Sequence, residues 1–309
     1  MVMSKLVHAV SGNIEPDSIN RTMIHEHIVF DLSKIRGDSV SILGWSETLF
    51  AIEEELKRLL EHGFNTIVEQ TNMGMGRDPE RLLRISNETN MNIIAGTGYY
   101  KEGFYPAEVA ALSKEQLAEK LSNDILVGME GTHIRAGFYG EIGSSLNEIT
   151  PLERKVFECV CDSHKETGAP ISTHCEMGTM VVDQMAIFDS NGIDPSKVSF
   201  GHQDLNPDLS SQKEVLKWGA YIQYDTTGKN NYRSDDDRVK GILTLLDAGY
   251  EDRIMLSCDI TRSTYLKAFG GHGYVSIYEK FIPMLKNNGV TDEIIEKMLV
   301  CNPRQFLAY

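Results

Sequence analysis

The groups in this chain best suited to chemistry are histidines and carboxylates at the ends of short apolar runs. His25-Glu26-His27 closes one run and Gly140-Glu141-Ile142-Gly143 another, while Thr173-His174, Gly201-His202 and Cys258-Asp259 close three more. If each run is a β-strand, side chains alternate between its faces, so His25 and His27 share one face and Glu26 takes the other. The same alternation turns His174 and Asp259 inward and sends Cys175 and Cys258 outward. Taken alone, an H-x-H strand end is as consistent with hydrogen-bonded core histidines as with a metal site, and His202 alone says less. Four imidazoles and two carboxylates in one register are another matter, because burying so many unpaired charges is costly. They are the donor set of a pair of divalent metal ions. Zinc is the first expectation, and manganese, cobalt or nickel suit similar donors.

The elements that must position these groups follow from the pattern around them. Strand-like text runs over Thr22–Ile28, Asn65–Thr71, Asn92–Gly98, Ala136–Gly143, Ala169–Cys175, Lys197–Gln203, Ala220–Thr226 and Arg253–Asp259, each bounded by Gly, Asn, Asp or Pro. Helix-like runs lie between them, with apolar residues three and four apart, as in Leu49, Ile52, Leu56, Leu59 and Leu60. Asp78-Pro79-Glu80 and Thr150-Pro151-Leu152-Glu153 carry helix-start signals, the second with a capping box. Gly63, Gly168, Gly192, Gly219 and Gly289 mark helix ends. Eight β-then-α units without a linker predict one (β/α)8 TIM barrel spanning residues 1–309, with the metal centre at its C-terminal mouth. A doubly wound open sheet fits less well, since Ile24–Asp31 has no glycine for a phosphate turn. Thr291–Tyr309 reads as a further helix, broken at Asn302-Pro303, that covers one end of the barrel.

Composition narrows the function. The chain has 309 residues, 41% of them hydrophobic and 24% charged, with 30 Lys and Arg against 45 Asp and Glu for a net charge of −15. Such a chain has the apolar content for a large core and is no disordered or low-complexity polymer. No run reaches the length of a membrane span, and Met1–Val10 lacks the apolar centre of an export leader. Net negative charge argues against nucleic acid or an anionic membrane as partner. The expectation is a cytoplasmic protein acting on a small-molecule substrate, and its 5 cysteines, an odd count with no C-x-x-C, read as free thiols. Of the remaining histidines, His8, His62, His133 and His164 read as surface groups, and His272 as a possible substrate contact.

Ile24-His25-Glu26-His27, Gly96-Thr97-Gly98-Tyr99-Tyr100, Ile171-Ser172-Thr173-His174, Gly201-His202 and Ile254–Asp259 together resemble the phosphotriesterase family of the amidohydrolase superfamily. The resemblance runs in unbroken order from about Gly12 to the C-terminus. It implies a metal pair bridged by a hydroxide and by a group from the fourth strand. Many members carry a carboxylated lysine there; this chain carries Glu141, as in the branch of phosphotriesterase homology proteins, and a glutamate offers the same two-oxygen, singly charged bridge. The resemblance further implies that His25, His27 and Asp259 hold the more buried metal and His174 and His202 the more exposed one. Asp259 would also carry a proton to the leaving group, and Tyr100 would lie over the metals to steady a carbonyl or oxyanion. A homodimer is implied as well.

Barrels of this kind often hold phosphate on the loops after strands seven and eight. Here those loops carry Lys229, Arg262 and Tyr265, a trio that resembles the phosphate-binding set of members that open phosphorylated sugar lactones. The expected activity is therefore hydrolysis of a small anionic sugar lactone, phosphorylated or not, through a metal-bridging hydroxide. The alternative is a phosphotriesterase-like or aryl esterase activity on neutral phosphoesters or acyl lactones. The short, glycine-rich segment Lys267–Tyr274 offers little apolar surface for it.

Overall fold

The structure, a computed structural model, describes residues 5–309; part of the leader reading of Met1–Val10 thus lies outside the described residues. Eight parallel strands form one sheet in chain order: β1 (Arg21–Glu26), β2 (Phe64–Glu69), β3 (Asn92–Thr97), β4 (Phe138–Ser144), β5 (Ile171–Cys175), β6 (Val198–Phe200), β7 (Tyr221–Tyr224) and β8 (Ile254–Leu256). Each predicted strand is present, with its ends shifted by at most three residues. Helices cover the outside: α1 (Ser46–Glu61), α2 (Pro79–Thr89), α3 (Lys114–Leu126), α4 (Pro151–Thr167), α5 (Val181–Ser190), α6 (Leu209–Trp218) and α7 (Asp235–Leu246). After β8 a π-helical turn, Ile277–Phe281, runs into the helix Ile282–Asn287. The fold is an α/β barrel of the TIM type. Among the described residues no helix is long and apolar enough to cross a membrane.

Local signals act as read. Asp78 accepts from the Arg81 amide, Thr150 and Glu153 form a reciprocal capping box, and Gly168 and Gly219 end their helices in the left-handed region. In α1, Ala51, Ile52, Leu56 and Leu59 are buried against the sheet. The same face buries Glu55, whose carboxylate accepts the Lys267 and Tyr274 amides at 2.7 and 2.8 Å and ties down the loop after β8.

Glu26 has the outward-facing position that alternation predicts, and it closes the barrel there. No continuous ladder joins β1 to β8. The Glu26 carboxylate instead accepts Ser257 Oγ and the Cys258 amide, each at 2.7 Å, and the Ile260 amide at 2.9 Å.

The inside is layered. At the N-terminal end Ile24, Val68, Ile94, Phe138, Tyr221 and Met255 form an apolar plug with Phe306. Above it lies a polar layer, in which Gln223 Nε2 donates to Ser172 Oγ and Ser199 Oγ at 3.0 and 2.9 Å, and Gln70 Nε2 reaches the same Ser172 at 3.0 Å. The candidate ligands form the layer above that.

Two expectations need correction. The C-terminal helix is not broken at Pro303: a π turn over Lys297–Cys301 joins Asp292–Glu296 to Asn302–Leu307. Pro303 then falls in the first turn of a new hydrogen-bond register, where its missing N–H costs little. Nor is His164 a surface group. It is buried, with Nδ1 bonded to the Ala169 carbonyl at 2.7 Å, fixing the turn from α4 into β5.

Candidate metal centre

Six side chains meet at the C-terminal mouth. His25 and His27 come from the end of β1, Glu141 from β4, His174 from β5, and His202 and Asp259 from just beyond β6 and β8. His25 and His27 are fully buried, and Glu141, His174, His202 and Asp259 are at most 7% exposed. One donor atom each from His25, His27 and Asp259 lie within 4.8 Å of one another, and so do donors from His25, Glu141 and His202. Glu141 is central. Its Oε1 is 3.4 Å from His27 Nε2, and its Oε2 is 3.4, 3.2 and 3.8 Å from His25 Nε2, His174 Nδ1 and His202 Nε2. His202 and Asp259 have φ of 57° and 52°, a left-handed backbone that costs about 1–3 kcal/mol each for residues other than glycine. Main-chain bonds hold both: the His202 amide donates to Asp225 Oδ1 at 3.0 Å and the Asp259 amide to the His25 carbonyl at 3.3 Å.

The far side of each imidazole is already engaged. His25 Nδ1 lies 2.7 Å from Gln223 Oε1 and 3.0 Å from Asp225 Oδ2, His27 Nδ1 is 2.8 Å from Thr71 Oγ1, and His202 Nδ1 is 3.0 Å from Asp225 Oδ1. His174 is turned the other way, with Nε2 on Glu176 at 2.8 Å and on the Tyr100 hydroxyl at 3.2 Å. With those nitrogens carrying the proton, each ring aims a lone pair at the Glu141–Asp259 pair. His25 Nε2 and His27 Nε2 are buried without any hydrogen-bond partner. Lone pairs facing carboxylates repel unless a cation lies between them, so the donor set fits divalent metal ions. The alternative is protonated histidine. Burial pushes the His25 and His27 imidazoles down, yet the Asp225, Glu141 and Asp259 carboxylates outweigh it and raise both. Burial likewise pushes Glu141 up, and the surrounding histidines hold it well below the usual carboxylate range.

Several residues that complete the centre carry no signal of their own in the sequence. Asp225 supports both His25 and His202. Glu176 fixes the tautomer of His174 and is itself paired with Lys101. Asn72 Nδ2 donates to the Glu141 carbonyl at 2.6 Å, holding that strand end in place.

The mouth opens into a small cavity of about 110 Å³, walled by His27, Glu141, His174, His202 and Asp259 together with Tyr100, Phe30, Arg36, Lys229, Tyr232 and others. The expected substrate residues separate here. Tyr100 is in the wall, buried and beside His174. Lys229 is also in the wall, but its ammonium is bonded to Asp259 Oδ2. Arg262 is not: it turns toward Asp38, 3.6 Å away, at the rim. Tyr265 is not in the wall either; it lies under the Lys229 ammonium and packs on His272, which is set back with it.

Comparison with known proteins gives the chain a family. Residues 5–307 match the model of the phosphotriesterase family. The phosphotriesterase homology protein of Escherichia coli is 40% identical over 94% of this chain and 98% of its own length. Its crystal structure, with phosphate in the active site, superposes with a TM-score of 0.92 at 39% identity, covering 95% of this chain and 100% of the other. The human N-acetyltaurine hydrolase is 32% identical over 99% of both chains. A lactonase from Listeria monocytogenes superposes with a TM-score of 0.92 at 30% identity over 98% of each chain. The chain therefore belongs to the phosphotriesterase family and is a hydrolase.

Proposed function

We propose that the chain hydrolyses a small anionic ester, with a lactone of a sugar acid, phosphorylated or not, as the leading substrate class. The observation that carries this reading is the cavity. About 110 Å³ is well below the roughly 300–1,000 Å³ of pockets for drug-sized ligands. Its wall brings Arg36, a cation with no carboxylate within 4 Å among the described residues, close to the ligand cluster in a chain of net charge −15. Both features favour a compact, negatively charged molecule over a bulky neutral aryl phosphotriester.

His25, His27 and Asp259 would hold one metal ion, His174 and His202 the other, and Glu141 would bridge. Zinc heads the ions these donors suit, ahead of manganese, cobalt and nickel. When bound, the two ions polarise the scissile carbonyl or phosphoryl oxygen and acidify the attacking water. The protein's own groups do the rest. Tyr100 is held protonated, first by burial and then by the Glu141 and Glu176 charges, so its hydroxyl can donate to an oxygen that becomes negative. Asp259 turns Oδ1 toward the histidines and Oδ2 toward Lys229, and the ionised carboxylate can take the proton that the attacking water gives up and pass it to the leaving group.

A second reading, cleavage of a short N-acyl amide of an anionic amine, is favoured by the N-acetyltaurine hydrolases that align with nearly the whole chain. One assay separates the readings: metal-loaded protein against phosphorylated and unphosphorylated sugar lactones, acyl lactones, N-acetyltaurine and aryl phosphotriesters. Turnover of anionic lactones supports the first reading and of N-acetyltaurine the second. Turnover of triesters alone overturns both.

A further inference from the structure

The cations around the mouth are not equally free. Lys229 is bonded to Asp259, Lys101 to Glu176, and Arg262 faces Asp38. Arg36 alone among the cavity-lining cations has no carboxylate within 4 Å among the described residues. Its one hydrogen bond there is from Nη1 to Ser41 Oγ, at a long 3.3 Å, so Nε and Nη2 keep their donors. Ser41 in turn donates to Asp38 Oδ2 at 3.0 Å, so Asp38 serves Ser41 and Arg262 and leaves Arg36 unneutralised.

The position of Arg36 is built. The loop after β1 starts with a two-stranded hairpin, Phe30–Asp31 against Ile42–Leu43, and a single helical turn, Ser33–Arg36, is stopped by Gly37 at φ 69°. The guanidinium lies 5.6 Å from the centroid of Phe30, and the Phe30 ring packs on His27 at 4.9 Å. Arg36 is therefore one aromatic ring away from a candidate metal ligand. A planar fork with free donors, braced on an aromatic face and half-shielded from water, is the usual geometry for gripping an oxyanion.

We propose that Arg36 binds the charged group of the substrate, a carboxylate, sulfonate or phosphate. Selectivity for anionic substrates then comes from the loop after β1 and not from Arg262 and Tyr265 beyond β8. This rests on the proposed hydrolysis of a small anionic substrate and assigns which residue reads the charge.

The test has two arms on metal-loaded protein. In the first, ethanesulfonate is titrated calorimetrically into the wild type, Arg36→Ala, Arg36→Lys and Arg262→Ala. Arg36→Ala is expected to weaken binding about tenfold or more, Arg36→Lys to restore part of it, and Arg262→Ala to change it less than about twofold. In the second, KM is compared for an anionic substrate and its neutral isostere, and Arg36→Ala should raise the anionic value about tenfold more than the neutral one. Equal effects on both substrates, or the selective loss appearing in Arg262→Ala, would overturn the assignment. So would unchanged ethanesulfonate binding in Arg36→Ala. If wild-type protein hydrolyses none of the panel, the proposed function fails while the calorimetric arm still decides the role of Arg36.

Discussion

The Lys229 ammonium is bonded to Asp259 Oδ2, while the other oxygen of the same carboxylate faces His27 Nε2 at 3.4 Å. One side chain is thereby split between the metal centre and a buried cation. Lys229, 4% exposed, is spent on orienting Asp259 and is not free to grip substrate.

Lys229→Met should therefore lower kcat about tenfold or more for anionic and neutral substrates alike, because it leaves a buried carboxylate oxygen without its charged partner. Steady-state kinetics on a charged and an uncharged substrate checks this. A rise in KM confined to the charged substrate would return Lys229 to a substrate-binding role.

Asp225 is fully buried and touches both His25 and His202. Asp225→Asn should weaken metal affinity about 10–100-fold by loosening two ligands at once. Competition with a chelator of known affinity measures it directly, and an unchanged metal affinity would mean that Asp225 serves only the backbone turn at His202.

Glu26 joins the first and last strands with three accepted hydrogen bonds. An amide keeps one acceptor oxygen and sets an NH2 against backbone donors. Glu26→Gln should cost about 2–4 kcal/mol in urea unfolding of the metal-free protein.

His272 gives a pH-dependent prediction. Burial first, then the Lys229 charge, lowers its pKa to about 4 from 6.5, and its Nε2 is buried without a partner. The folded protein thus keeps the ring neutral where the unfolded chain protonates it. The His272 contribution to stability is most favourable above pH 6.5 and declines as the pH falls toward 4. His272→Gln removes this contribution, so the stability advantage of wild type over variant should shrink by about 1–2 kcal/mol between pH 7 and pH 5. Parallel unfolding curves for the two proteins would contradict it.

The residues that the sequence made legible are those whose chemistry and spacing are both unusual. His25 and His27 two apart, and Glu141, His174, His202 and Asp259 each at the end of an apolar run, are converted into one cluster by strand alternation and barrel closure. The supports were not legible. Asp225 and Glu176 look like any loop carboxylate until the turn brings them against an imidazole. Arg262 is placed by Asp38, more than two hundred residues away, and Arg36 by a hairpin of two-residue strands that no periodicity announces. His164 looked solvent-facing because helix spacing does not reveal a ring turned back to cap the carbonyl of the next connection. The C-terminal proline read as a break because nothing in the sequence marks the π turn that absorbs it.

The central claim, that six side chains from five strand ends hold two divalent ions, is tested most directly by elemental analysis of unchelated protein beside its Glu141→Gln variant. The account predicts two transition-metal ions per chain in the wild type, and fewer than two with loss of hydrolysis in the variant. Wild-type protein with no bound transition metal, or a Glu141→Gln variant with full metal content and full activity, would contradict it.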